Sequence, residues 1–301
     1  MHNKLLHRFA VMLASCTLLL VVAGAFVTSK QAGLSVPDWP LSYGKVMPPM
    51  IGGVFYEHGH RMVATTVGFL TVVFAILLWR FESRRWMRNL GLIAVGGVIL
   101  QGVLGGLTVL FLLPKPVSIG HACLAQLFFC TTVAMAVFTS ESWRREPEYV
   151  ADHGWPSLRS LAVLTCILIL AQLALGAAFR HKAAGVMPHI IGAMVVLAAI
   201  VIESIFIVSQ YPKHELLRNS ALMLMLIGFV QIMLGVAAYV ARVATADALQ
   251  VPWITVIFTV LHVAVGAATF GASVIVALQV FRNVQSRPEV QQVTRESVTA
   301  A

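Results

Sequence analysis

The sequence predicts an all-α membrane protein in which eight transmembrane helices form two pseudo-symmetric four-helix bundles. Of its 301 residues, 59% are hydrophobic and only 11% are charged, whereas about a quarter of the residues are charged in a typical soluble protein. The apolar runs are continuous rather than alternating, which excludes a transmembrane β-barrel. Short motifs recur in successive apolar runs, which indicates a duplicated helix pair.

Eight apolar stretches are predicted to be helices, because backbone groups in lipid must be hydrogen-bonded within their own segment. We interpret the first stretch as a retained helix rather than a cleaved signal peptide, since its apolar run of about 20 residues is long enough to span a bilayer. The stretches cover approximately residues 9–28, 61–79, 90–113, 117–139, 158–179, 187–209, 217–241 and 253–281.

A charged connector with two prolines, between the fourth and fifth stretches, divides the chain into two halves. The N-terminal half is predicted at residues 1–145 and the C-terminal half at residues 157–285. Residues 286–301 are polar and are predicted to be a disordered cytoplasmic tail.

The distribution of basic residues predicts that both termini are cytoplasmic, because cytoplasmic loops carry an excess of Lys and Arg. With the N-terminus inside, fourteen of the 21 basic residues fall on the cytoplasmic side. The seven on the outer side are Lys30, Lys45, Arg61, Lys115, Arg180, Lys182 and Arg242. This bias explains the net charge of +9 without a nucleic-acid partner. We therefore expect a multi-pass protein of the cell (inner) membrane, with the lipid bilayer as its surroundings.

The internal repeat is the pentapeptide Gln-x-x-Leu-Gly. It occurs at residues 101–105, 172–176 and 231–235, and Leu20 to Gly24 occupy the equivalent place in the first helix. Glycine in such a helix lets a second backbone or a flat ring approach closely, although helix packing alone is the alternative explanation. The three glutamines are predicted to face the bundle interior.

Each of these helices is followed by one with a histidine at or near its outer end, namely His60, His121, His189 and His262. A single buried histidine is usually a polar core residue, but four at repeated positions favour axial ligation of haem iron from facing helices. The natural pairs lie within each half, His60 with His121 and His189 with His262. Because His262 follows Pro252 by about ten residues, we expect it to lie deeper unless its helix starts higher.

Glu57 precedes His60 by three residues, so the two share a helix face if the helix has begun by Glu57. An ionisable group at a membrane boundary tends to mark function. The alternative is a carboxylate that pairs with Arg61 and caps the helix start. The neighbouring His58 is predicted to be interfacial. Five further histidines are predicted to be solvated: His2, His7, His153, His181 and His214.

The first outer loop, about residues 29–56, is long enough to be a lid, with a plain interfacial loop as the alternative. Haem propionates need cations at the water boundary, and Arg61, Arg180 and Arg242 are placed to supply them, together with Lys115 and Lys182. The alternative for these cations is ordinary snorkelling. The four cysteines lie in apolar stretches without a CxxC pair and are interpreted as packing residues: Cys16, Cys123, Cys130 and Cys166.

Together these features resemble the haem A synthase family. The resemblance covers nearly the whole chain and is carried by Glu57 to Arg61, by the loop from Gly33 to Pro40, by the four histidines and by the duplicated layout. It implies a membrane oxidoreductase that oxidises the C8 methyl of haem O to the formyl group of haem A for haem-copper terminal oxidases. It also implies an assembly role for cytochrome oxidase, haem O supplied by a haem O synthase, and an electron donor or acceptor.

The resemblance further implies a role for each site residue. His189 and His262 would bind haem b, the substrate haem O would lie near His60 and His121, and Glu57 would be the essential acid. Some family members carry a cysteine pair in the first outer loop, and this chain has none. A thiol relay through that loop is therefore absent here and the electron route stays open.

Two other functions share the paired histidines. One is a di-haem b protein that transfers electrons without catalysis, and the other is a haem carrier. Neither obviously requires Glu57, the long first loop or an exchangeable site. Within the enzyme hypothesis, the sequence is compatible with repeated hydroxylation and with electron removal followed by attack of water. A homo-oligomer is also compatible with these features.

Overall fold

The computed structural model describes residues 4–152 and 154–285. The predicted tail at 286–301, His2 and His153 lie outside the described residues. Within them, eight helices are long and apolar enough to cross a membrane, as predicted. The long helices are α1 (Lys4–Ser29), α2 (Gly53–Phe81), α3 (Arg85–Leu110), α4 (Lys115–Thr139), α6 (Leu158–Arg180), α7 (Met187–Gln210), α8 (Glu215–Ala244) and α9 (Trp253–Asn283). The short elements are α5 (Glu141–Arg144), β1 (Val150–Ala151) and β2 (Val284–Gln285).

The helices extend beyond the apolar stretches, because a helix satisfies its own backbone whether or not its side chains are apolar. The largest difference is in α2, which begins at Gly53 rather than near residue 61. Glu57 and His60 therefore both lie in the first turns of this helix. All four repeated histidines lie toward one end of the bundle, which we call the histidine end. The described chain begins and ends at the opposite end, the terminal end.

Each half is a closed ring of four helices with the same order of neighbours. In the first half α1 contacts α2 and α4, and α3 contacts the same two helices; α6 to α9 repeat this order in the second half. The core of the first half contains Phe74 and Met135, and that of the second contains Ile207 and Val276. The halves meet where α1 and α4 pack against α9 and where α4 packs against α6. This arrangement is compatible with the predicted pseudo-symmetry.

The connector between the halves folds onto the end of α9 and forms a clasp, which we define as β1, β2, Arg159 and Arg282. The two strands pair in parallel, with Val150 opposite Val284. The Arg159 guanidinium donates to the carbonyl of Val284 at 2.6 and 3.0 Å. Arg282 donates to the carbonyl of Ser142 at 2.8 Å. The clasp thus joins the end of the N-terminal half to the end of the last helix.

The solvated role predicted for His214 is wrong, because the connector covers it. His214 is buried, its Nδ1 accepts from the backbone N–H of Leu217 at 3.3 Å, and its Nε2 lies 3.2 Å from the carbonyl of Glu148. It caps the start of α8. His7 is also partly covered, with Nδ1 3.2 Å from the carbonyl of Ala136.

The terminal end of the first half is held by a buried carboxylate, Glu82, just after α2. It accepts from Arg84 at 2.9 and 3.0 Å and from Arg144 at 2.9 Å, and its side chain is 1% exposed. Burial alone would raise the pKa of the Glu82 carboxyl. The hydrogen bonds and charge of Arg84, with the charge of Arg144, outweigh burial and lower this pKa to about 2.

We expect Glu82→Gln to lower the free energy of unfolding by roughly 1–3 kcal/mol at pH 7, because two arginines lose a shared carboxylate. The pKa of Glu82 is lower in the folded protein than its ordinary value of 4.5. Its stabilisation is therefore complete above that pH and is lost as the pH falls toward 2. In thermal unfolding in detergent, the difference in melting temperature between wild type and variant should become smaller as the pH falls from 4.5 toward 2. The matched control is Glu141→Gln, whose ion pair with Arg145 is exposed and should contribute little.

Candidate haem-binding site

Each of the four repeated histidines packs its ring against the glycine of the preceding long helix. We describe the contact by the distance from a methyl carbon placed on the glycine to Cε1 of the imidazole. The pairs are Gly24–His60 (3.1 Å), Gly105–His121 (3.2 Å), Gly176–His189 (2.9 Å) and Gly235–His262 (2.9 Å). These distances leave no room for a side chain, so the flat ring that approaches each glycine is the imidazole of the next helix.

In the second half, the Nδ1 atom of each histidine lies close to the glutamine one turn before the glycine. His262 Nδ1 lies 3.2 Å from the carbonyl oxygen of Gln231. His189 Nδ1 lies 2.9 Å from the side-chain Nε2 of Gln172. For His262, an Nδ1–H directed at the carbonyl would leave Nε2 free to bind a metal. The contact at His262 is therefore compatible with a role as a metal ligand.

In the second half the two rings are spaced for a single metal ion between them. The centroids of His189 and His262 are 6.2 Å apart and the rings are nearly perpendicular, at 88°. An imidazole nitrogen binds a metal at roughly 2 Å and the ring centre lies roughly 1 Å behind it, so coaxial ligands of one ion have centroids roughly 6 Å apart. The pair therefore fits axial ligation of haem iron. His262 does not lie deeper in the bundle than His189, because α9 begins at Trp253, nine residues before His262.

In the first half His60 and His121 lie near each other, close enough for the charge of one to act on the other. Their Nδ1 atoms are buried without a hydrogen bond among the described residues. The same glycine contacts and the same helix order as in the second half bring these two histidines together. This pair is a second candidate for binding haem.

Glu57 is buried beneath the first outer loop and both of its oxygens are bonded. Oε2 accepts from the backbone N–H of Val36 at 2.9 Å, and Oε1 accepts from Arg61 at 2.7 Å. The predicted pairing with Arg61 is confirmed, but Glu57 does not cap the helix, whose N-cap is Gly52. The sequence did not indicate the bond to Val36, because backbone donors of an irregular loop have no sequence signature.

Residues 30–52 form a lid over this carboxylate, held mainly by Arg61. Arg61 donates to the carbonyls of Asp38 and Leu41 at 2.8 and 2.9 Å. Ser42 Oγ lies 2.8 Å from Nδ1 of His58, which is buried rather than interfacial as predicted, because the lid covers the start of α2. The lid is therefore tied to the first three turns of α2.

The lid also reaches α3 and is stabilised by its own carboxylate. The indole of Trp39 lies against Gly106, where a methyl group would come within 2.7 Å of it. Asp38 accepts from the backbone N–H groups of Tyr43 and Gly44 at 2.6 and 2.8 Å. The bond from Gly44 is the main cause that lowers the pKa of the Asp38 carboxyl. These contacts give the loop one compact conformation.

Two guanidinium groups, Arg180 and Arg242, lie near each other at the histidine end of the second half. The positive charge of Arg242 acts on Arg180, and the Arg242 guanidinium lies 5.1 Å from the Phe179 ring centroid. In the described part of the chain no carboxylate forms an ion pair with either arginine. Two adjacent cations without an anion favour binding of a negatively charged group.

These features define a class, a multi-pass helical membrane protein with paired histidines at one end of its helix bundle. The chain belongs to the COX15-CtaA family, described as cytochrome oxidase assembly protein, which matches residues 7–53 and 52–188 and thus more than half of the chain. The matched region contains Glu57, His60 and His121. It ends one residue before His189, so the sites of the second half rest on the internal repeat and the geometry.

The curated relatives that the chain matches are named Heme A synthase. The protein of Shouchella clausii is 29% identical over 183 residues, which are 60% of this chain and 60% of the relative. That of Beijerinckia indica subsp. indica is 28% identical over 211 residues, covering 58% and 57%. That of Bacillus licheniformis is 25% identical over 184 residues, covering 60% of each. The alignments thus span about three fifths of the relatives' length.

All four cysteines are free thiols, with Cys130 buried and the others partly buried. Cys166 Sγ lies 3.2 Å from Ser273 Oγ, the closest polar contact seen for any of them.

We expect simultaneous replacement of all four cysteines by Ala or Ser to leave haem conversion largely intact. The cost in stability should be on the order of 1 kcal/mol per buried site. Complete loss of conversion in a variant that keeps its haem spectrum would show that a buried thiol takes part.

Proposed function

We propose that the protein is a haem A synthase, an oxidoreductase that converts the C8 methyl of haem O to the formyl group of haem A. The observation that carries the proposal is a buried carboxylate, Glu57, held beneath a lid within one helical turn of His60 on the same helix. The family membership and the names of the relatives support it. Two haem sites of unequal construction fit an enzyme with a resident cofactor and an exchangeable substrate.

The resident haem b is proposed to lie between His189 and His262. Haem supplies one-electron redox chemistry when bound. The 6.2 Å spacing of the two rings fits its iron, and the Gln172 and Gln231 contacts orient their Nδ1 atoms. Arg180 and Arg242 bind its propionates as the nearby unpaired cations of this half. The glycine contacts keep both rings from rotating.

Haem O is proposed to bind between His60 and His121 under the lid. The lid excludes water and orients the substrate through α2, and Glu57 is the group that stabilises developing positive charge or accepts a proton at the C8 methyl. Arg61 donates hydrogen bonds to the lid and to Glu57, so its main role is to hold these groups together. Its predicted interaction with a propionate would then be electrostatic rather than a direct hydrogen bond.

The net change from methyl to formyl adds one oxygen atom and removes two hydrogen atoms. If water supplies the oxygen, four protons and four electrons leave for an acceptor. If dioxygen supplies it by repeated hydroxylation, a donor provides electrons instead. A haem O synthase supplies the substrate, haem-copper terminal oxidases receive the product, and the electron partner is a protein or small carrier outside this chain. A homo-oligomer is compatible with both routes.

The test is co-expression with a haem O source in cells that lack haem A, followed by chromatography of the extracted haems. The proposal expects haem A, with some of the alcohol intermediate, only when the chain is present. The matched control is His58→Ala, which removes a buried histidine without a glycine contact and, because it loses one contact to the lid, should lose no more than a few-fold of conversion. Unchanged haem O with two haems bound to the purified protein would indicate the carrier or the di-haem electron-transfer protein instead.

We further propose that the protein lies in the cell (inner) membrane with both termini cytoplasmic and the histidine end toward the outer face. The basis is the excess of basic residues at the terminal end. A cytoplasm-active reporter fused after Ala301 should be active, and one inserted after Lys45 in the lid should not. The reverse pattern would contradict this orientation and place the haem sites at the cytoplasmic face.

A further inference from the structure

Two of the four histidines accept a hydrogen bond at their backbone carbonyl from a glutamine side chain, a contact that we call the glutamine clamp. Gln101 Nε2 donates to the carbonyl of His121 at 2.9 Å. Gln172 Nε2 does the same for His189, at 2.7 Å. The clamp therefore ties the backbone turn that carries the histidine to the preceding long helix.

The first unit of the repeat has no such clamp, because Leu20 stands where the other units have glutamine. The Leu20 side chain has no amide to reach the α2 backbone. Nδ1 of His60, like that of His121, has no hydrogen bond among the described residues. The two histidines of this half therefore differ in the clamp, which His121 has and His60 lacks.

The turn that carries His60 is instead bonded to the lid. Glu57 and Arg61, on either side of it in sequence, make the contacts to Val36, Asp38 and Leu41. Movement of the lid away from the bundle therefore pulls on the same turn of α2. His121, on α4, is fixed by Gln101 and has no such connection to the lid in the described contacts.

We propose that His60 is the releasing ligand of the N-terminal site, the one whose bond to the haem iron opens when a haem enters or leaves. This inference rests on the proposed function and deepens it. His121, whose helix backbone is held by Gln101, is the ligand that remains bound. Leu20 is a positioning residue, because it occupies the place of the glutamine that would otherwise hold the backbone of His60. Loss of an outer contact to a metal-binding histidine typically weakens binding by roughly 10- to 100-fold, which makes one side of the iron exchangeable.

The test is Leu20→Gln, which supplies the missing amide at nearly the same side-chain length. Purified protein from cells that make haem O is mixed with excess apomyoglobin, and transfer of haem O or haem A is followed by absorbance. We expect release to slow by roughly 10-fold in Leu20→Gln and to stay at the wild-type rate in Leu20→Met, which has similar length without an amide. The haem b spectrum of the other half reports correct folding in each variant.

A second variant tests the opposite ligand. Gln101→Leu removes the clamp from His121 and should speed release by a similar factor. Wild-type release rates in Leu20→Gln, or in Gln101→Leu, would overturn the inference while leaving the proposed function intact. Absence of any haem other than haem b from the wild-type protein would overturn the proposed function, and the inference with it.

Discussion

Replacement of Glu57 by Gln should lower conversion of haem O to haem A by two or more orders of magnitude. Gln keeps the size and one accepting oxygen but has no charge, so it neither stabilises positive charge at the substrate nor accepts a proton. A hundredfold loss corresponds to about 2.7 kcal/mol of transition-state stabilisation. The measurement is the amount of haem O, alcohol intermediate and haem A in extracts of cells that make the variant.

The control must separate chemistry from lid closure, because Glu57 also bonds Val36 and Arg61. Ser42→Ala serves this purpose, since Ser42 contacts His58 and Arg61 but not the carboxylate. We expect Ser42→Ala to lose only a few-fold of conversion. If both variants fall equally, the role of Glu57 is to hold the lid. Near-normal haem A from Glu57→Gln would end the catalytic assignment and leave the site to His60 and His121.

His189→Ala and His262→Ala should each remove the low-spin haem b spectrum from the purified protein, with haem b per polypeptide reduced at least tenfold. The physical reason is that the two rings, whose centroids lie 6.2 Å apart, are proposed to bind the haem iron together, and one imidazole alone would hold it less tightly. His60→Ala is the matched control. It removes a histidine of the same repeat in the other half and should leave haem b in place.

An unchanged haem b spectrum in both His189→Ala and His262→Ala would move the resident haem to the first half. In that case His60→Ala would be the variant that loses it. Loss of the spectrum in all three would indicate instead that the halves do not fold independently of their haems. Thermal unfolding of the apo-protein would then show whether the variants are destabilised.

The helices and the histidine pairing were predictable from sequence because both follow from periodic signals. Long apolar runs indicate helices that cross the bilayer. The motif Gln-x-x-Leu-Gly at 101–105, 172–176 and 231–235 indicates that the same helix contacts recur along the chain. The start of α2 at Gly53 was not predicted, because the polar residues 57–60 interrupt the apolar pattern before Arg61. His58 and His214 were misjudged for a related reason, since both are covered by irregular segments whose path depends on tertiary contacts.

The role of the repeat became clear only in three dimensions. Glycine at position 105 or 176 was consistent with helix packing or with a flat ring, and spacing alone does not distinguish the two. A methyl carbon placed on Gly176 would lie 2.9 Å from Cε1 of His189, so the flat ring at this glycine is the imidazole of His189. The absence of a clamp at Leu20 was visible in the sequence as a missing glutamine, but it had no meaning until the partners of Gln101 and Gln172 were known.

The clasp has a consequence for how the molecule is made. Val150 pairs with Val284 across more than a hundred residues of chain, so this contact forms only after the last helix has entered the membrane. The N-terminal ring can close earlier, since α1 to α4 contact one another within one half. Assembly during synthesis therefore ends with the pairing of β1 and β2 at the end of α9. Chains truncated before Val284 would insert all their helices but would lack the strand β2 that completes the clasp.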